Sequence, residues 1–107
     1  RIAALVAQRS ELFETIAPVR HAIGTRAFES VALQQRLEEL SSPLREQGAS
    51  QFHPELAGLT AVRRRVLLDA LDVGTSFEAW DRLRVFQRLD LRGAQETLRT
   101  TLAALLE

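Results

Sequence analysis

Cysteine is absent from this chain, which excludes disulfides and thiolate metal sites and leaves the redox compartment unread. Lysine is absent as well: all fourteen basic residues are arginine, a bias that reads as genomic base composition and not as function. Fourteen acidic residues balance them, so the net charge is zero. Domains that grip nucleic acid usually carry a basic excess, and nothing in this balance gives an electrostatic reason to seek an anionic membrane. No apolar run is long enough to span a bilayer, and no signal peptide is recognisable. The default expectation is a cytoplasmic protein with no membrane partner. The few glycines are scattered, giving neither a phosphate-cradling loop nor a dinucleotide fingerprint.

What is present fits one ordinary globular domain: 107 residues, of which 46% are hydrophobic and 26% charged, enough for a real core. No strand signal, internal repeat or low-complexity tract appears, so the chain is predicted to be all-α. The organising stretch is Thr60 to Gln87, which contains no proline and is predicted to form one unbroken helix. Projected at 3.6 residues per turn, it carries two apolar flanks. Val62, Val66, Ala70, Val73, Phe77 and Trp80 form one; Leu67, Leu71, Gly74 and Val85 form the other. Two flanks predict a shared helix, with the first turned to its own core and the second to a partner subunit. Gly74, costly in a helix by about 1 kcal/mol, marks where another backbone approaches closely.

Residues 1 to 24 predict a first helix, with Ile2, Leu5, Leu12, Ile16, Val19 and Ile23 in steps of three and four and Phe13 beside them. Pro18 is expected to bend it, and Gly24 and Thr25 to cap it. Arg9 and Arg20 project into the middle of that apolar face. A guanidinium there is paired, reaches solvent along its stem, or faces a cavity. After a loop over residues 25 to 30, Ser30 caps a helix with Leu33, Leu37, Leu40 and Leu44 on one side. Ser41-Ser42-Pro43 implies either a kink or two helices in succession. Gln47 to Gln51 is small and polar, suiting a pocket lining or a solvated face equally. A turn at Phe52-His53-Pro54 and a short connector bearing Leu56 and Leu59 lead to Thr60, the predicted cap of the long helix. After a connection at Arg88 to Arg92, a last helix over Gly93 to Leu106 shows a core face of Leu91, Ala94, Leu98, Leu102 and Leu105. Its other side is small: Gly93, Thr97, Thr100 or Thr101, and Ala104.

Catalytic and metal signatures are missing. His21 and His53 belong to no HExxH or ExxH pattern, and no Gly-x-Ser-x-Gly elbow exists. Arg63-Arg64-Arg65 points three ways from a helix and forms no single patch. No cofactor and no enzymatic role are expected.

Three stretches carry a family resemblance: RSELFETIAPVRHA from Arg9 to Ala22, FHPEL from Phe52 to Leu56, and the segment from Leu68 to Arg84 that precedes the connector and closing helix. In order and spacing they resemble the C-terminal regulatory domain of TetR-type bacterial transcriptional repressors. The resemblance implies a bundle of about four to six helices whose last two build a four-helix interface in a homodimer. It also implies an interior pocket for a small, apolar or amphipathic effector. Binding there respaces two DNA-reading helix-turn-helix heads, which in that family precede this domain and are missing from this sequence. The chain begins at Arg1, already inside a helical pattern, and is expected to follow such a missing neighbour. DNA is thus a partner only through that other domain.

By position, the interface falls on Leu67, Leu71 and Gly74 of the long helix and on Thr97, Thr101 and Ala104 of the last one. Candidate ligand contacts are Phe13, Arg20, Phe52, Phe77 and Trp80, large or polar groups pointing at the shared interior. The rival reading is a ligand-free dimerisation module, which a closed interior would favour. A small helical enzyme requires a cleft of converging polar groups.

Overall fold

The computed structural model describes residues 1–24 and 30–106, so the loop expected over residues 25 to 29, with the Thr25 part of the first cap, lies outside the described residues. Among the described residues the fold has six α-helices: α1 (Ile2–Ile23), α2 (Val31–Gln51), α3 (His53–Ala57), α4 (Ala61–Gly74), α5 (Phe77–Asp81) and α6 (Leu91–Leu106). A π-helical turn, Arg82–Phe86, continues α5. No strand occurs among the described residues, in line with the all-α prediction.

The starts of these helices follow from their hydroxyl and carboxylate residues. Ser30 Oγ accepts from Leu33 N at 3.3 Å, and Thr60 Oγ1 accepts from Arg63 N at 3.2 Å, each satisfying an amide that the helix itself leaves free. Asp90 does the same for α6, accepting from Gly93 N at 2.7 Å. Gly24, at φ 53°, turns the chain out of α1 while its amide donates back to Arg20 O. Of the two outcomes open at Pro43, the chain takes a single helix: Pro43 lies inside α2, as Pro18 lies inside α1.

The long helix is the main departure from the sequence-based expectation. It stops at Gly74, and a second helix starts at Phe77. Thr75 Oγ1 donates to Leu71 O at 2.6 Å, and Ser76 Oγ donates to Val73 O at 2.7 Å while accepting from Ala79 N at 3.2 Å. Two consecutive hydroxyl residues thus supply both a C-terminal stop and a new N-cap. Absence of proline permits continuity but does not enforce it.

Within α4 the predicted roles of the two flanks are exchanged, while beyond the corner Phe77 and Trp80 are core as expected and Val85 is exposed. Phe77 and Trp80 enter the core from α5, while the valines grouped with them on the projection face outward: Val62, Val66 and Val73 are 73%, 55% and 68% exposed. The flank assigned to a partner is the one turned inward. Leu71 is buried, Leu67 packs against the core, and a Cβ on Gly74 would meet Thr101 Cγ2 at 3.4 Å and Leu105 Cδ1 at 3.9 Å. What Gly74 meets is α6 of the same chain, and through side chains at ordinary contact distance, not through a closely approaching backbone.

The core joins Leu5, Val6 and Phe13 of α1 to Phe52, Leu71, Phe77, Trp80, Ala94, Leu98 and Leu102. Each large side chain removed from water contributes about 1.5–3 kcal/mol. Phe13 meets Phe77 edge to face, with centroids 5.7 Å apart. Leu91, predicted to belong to the core face of the last helix, instead sits half in solvent at the first residue of α6. α1 packs on α6 and α5, α4 on α6, and α2 on α4. The molecule is 18 Å thick in its shortest dimension, about two helix diameters, so each helix keeps one face outward.

Candidate ligand-binding site

α2 contributes no buried residue at all, despite its leucine stripe. Leu33, Leu37, Leu40 and Leu44 face a void of about 510 Å³ whose opposite wall is Phe13, Ile16, Val19 and Ile23 of α1. Phe77 and Glu78 of α5, with Asp72 and Ser76 at the α4–α5 corner, close one side. The volume falls in the range of small-molecule pockets, and the walls are mainly apolar with a few polar groups, as such pockets are. A more open groove of about 850 Å³ adjoins it, sharing Arg20, Leu37, Ser41, Phe77 and Glu78 and extending to His21, Asp81 and Phe86.

Of the predicted contacts, Phe13, Arg20 and Phe77 come together at this cavity. Arg20 lies at the boundary between cavity and groove. Its Nη2 donates to Glu78 Oε1 at 2.9 Å, and its guanidinium centre stands 4.6 Å from the Phe77 centroid. Neither Phe52 nor Trp80, the other two predicted contacts, lines this void; Phe52 instead borders a more open hollow of about 570 Å³ with Arg1, Glu55 and Arg99. Phe52 is fully buried against a sliver of about 10 Å³ beside Gly48, Ala49 and Leu71. The small residues of α2 therefore serve close helix packing, not a ligand pocket. Trp80 is buried in the core, its Nε1 donating to Glu14 Oε2 at 2.9 Å.

Arg9, conspicuous in the sequence for its place on the apolar face, holds the deepest charge at the site. It is 2% exposed. Its Nη1 donates to Thr75 O at 3.0 Å and its Nη2 to Leu44 O at 2.6 Å, while Nε has no acceptor. The guanidinium thereby ties α1 to α2 and to the α4–α5 corner at once. Burial lowers its pKa, and the field of Asp72 raises it by less; a guanidinium keeps its proton in proteins. Among the described residues, Arg9 takes part in no ion pair. Asp72 is engaged at 3.6 Å by Arg45, and Arg36 pairs with Glu39.

No family model, curated protein or solved structure matches the chain. Its site must be read from its own geometry. Among the described residues no group of three or more His, Cys, Asp or Glu is placed to hold a metal ion, and no helix is long and apolar enough to cross a membrane. His21 Nε2 lies 2.6 Å from Asp81 Oδ1, linking the exposed ends of α1 and α5.

The predicted interface residues divide between the inside and the surface. Leu71 is buried in the core and Gly74 is taken up by the α4–α6 contact, with Leu67 and Thr101 half-buried, whereas Thr97 and Ala104 are exposed. On α4 the outward residues next to this seam are Val66 and Val73, which the helical projection turns to the core. Their spacing is visible in the sequence; their direction depends on where α5 breaks away.

Proposed function

We propose that this chain is the ligand-sensing and dimerisation domain of a TetR-type transcriptional regulator, acting on DNA through a separate DNA-reading domain. The observation that supports it is the cavity between α1 and α2: an apolar void of small-molecule size, walled by a leucine stripe with no buried member. The rival ligand-free dimerisation module has no use for such a space, since filling it would add buried apolar surface at about 25 cal/mol per Å². The paired stripes Val66–Val73 on α4 and Thr97–Ala104 on α6 flank the close contact at Gly74 and supply a face for a second copy. Cavity and face share α4, whose C-terminal corner Arg9 holds. An effector moves the heads only by its difference in affinity for two arrangements of the bundle, and this corner is the element placed to differ between them.

Thermal unfolding across a panel of small apolar and amphipathic molecules tests the reading. A true effector at about 100 times its Kd stabilises by about 2.7 kcal/mol, and Leu37→Trp, which projects an indole into the cavity, diminishes that rise. A flat response over the whole panel, with Leu37→Trp simply more stable than the parent, sinks it in favour of the ligand-free module.

A further inference from the structure

We infer that the cavity selects an amphipathic monocarboxylate, a molecule with an apolar body and a single acidic group, and that Arg9 is the residue that recognises the charge. This inference rests on the ligand-sensing reading and narrows it. Among the described residues, every other charged group on the cavity wall already has a partner: Glu78 is held by Arg20 at 2.9 Å, Asp72 by Arg45 at 3.6 Å, and Arg36 pairs with Glu39. Arg9 is the exception, bonded only to uncharged acceptors and with Nε–H unsatisfied. A buried cation compensated only by dipoles is costly. Asp72 contributes a counter-charge from a distance, but no contact, and its carboxylate is turned to Arg45. An anion entering among the leucines supplies what Arg9 lacks, in surroundings of low dielectric where the attraction is strong. A cationic ligand meets the reverse: it must displace Arg20 or Arg45 to reach a carboxylate, and it approaches Arg9 as a like charge. The apolar residues Phe13, Ile16, Leu37, Leu40 and Leu44 set the body of the ligand, since aliphatic walls offer area and no directional bonds.

Isothermal titration of the protein with decanoate, decanol and decyltrimethylammonium tests this. Decanoate should bind about tenfold or more tightly than decanol, with the ammonium compound weakest. Arg9→Gln should erase the preference for the acid while leaving decanol affinity in place. Because Arg9 also holds three elements together, a second readout uses the unaltered protein. The carboxyl resonance of bound ¹³C-decanoate, followed against pH, should titrate below its value in free solution. Equal or tighter binding of decanol or the ammonium compound, or a bound carboxyl titrating at or above the free value, overturns the anionic ligand while leaving an apolar pocket in place. No binding by any of the three overturns the monocarboxylate, and a flat thermal response over the wider panel as well removes the ligand-sensing reading beneath it.

Discussion

Two arginines that look alike on a helical projection have opposite standing in the fold. Arg9 is buried and bonded to the backbone of two other elements, whereas Arg20 bridges to a Glu78 side chain that is 71% exposed. Hydrogen bonds from a charged donor are worth about 1.5–3 kcal/mol net when buried, and exposed ion pairs about 0–1 kcal/mol. Urea unfolding should therefore show Arg9→Met destabilised by about 2–4 kcal/mol and Arg20→Met by under about 1 kcal/mol; equal losses would refute the structural role given to Arg9. A second charge set lies across α1. Glu14 accepts from Arg84 Nη2 at 2.7 Å and from Trp80 Nε1 at 2.9 Å. Chiefly the Arg84 hydrogen bond, against a smaller opposing effect of burial, holds its pKa below the ordinary glutamate value, and the same contact raises that of Arg84. A carboxylate that titrates lower when folded contributes stability above its unfolded pKa, about 4.3, and loses it as the pH falls through the folded value. The difference in Tm between the parent and Glu14→Gln should accordingly be widest near neutral pH and close under acid conditions. A gap that stays constant with pH would assign the loss to packing instead. None of this pairing was legible in the sequence, because its partners lie 66 and 70 positions apart.

At the scale of elements, local signals are legible in the sequence and long-range ones are not. Ser30 and Thr60 announced their helices because capping depends on residues three apart. The leucine stripe of α2 was equally plain. Periodicity reports which face turns inward, but not whether anything fills the space there, and this stripe walls a cavity without a single buried member. The break after Gly74 escaped because Thr75 and Ser76 are as compatible with a helix interior as with a corner. Gly74 itself separates two explanations of that corner. A methyl group added there would stand at ordinary contact distance, 3.4 Å from Thr101 Cγ2. Gly74→Ala should therefore fold as the parent does and gain about 0.5 kcal/mol from helix propensity. Gly74→Leu, in contrast, must push α6 away and should cost about 1–3 kcal/mol. Were both substitutions neutral in denaturant titrations, close approach of α4 and α6 would not be the reason for glycine there.

For the whole molecule, thinness and exposed apolar surface carry the consequence. A body 18 Å deep leaves Val62, Val66 and Val73 in solvent along one helix, the row on which the proposed second copy would rest. The helical projection places Ala70 between that row and the Gly74–Thr101 contact, and Thr97, Thr100 and Ala104 continue outward along α6 on the same side of the seam. Small residues on one helix and β-branched ones on the next suit a second pair of helices crossing them with little side-chain entropy lost. In the proposed dimer, a twofold axis through this seam would make the same patch both donor and acceptor of the contact, the isologous arrangement of most homodimers. Sedimentation should then find a dimer at high micromolar concentration, and Val66→Glu with Val73→Glu should convert it to monomer. Both valines already face water in one copy, so far-ultraviolet circular dichroism of the double variant should match the parent. A parent chain that sediments as a monomer would remove the dimer from the proposal. An unaltered dimer in the double variant would instead relocate the interface, and with it the route by which a filled cavity reaches the partner subunit.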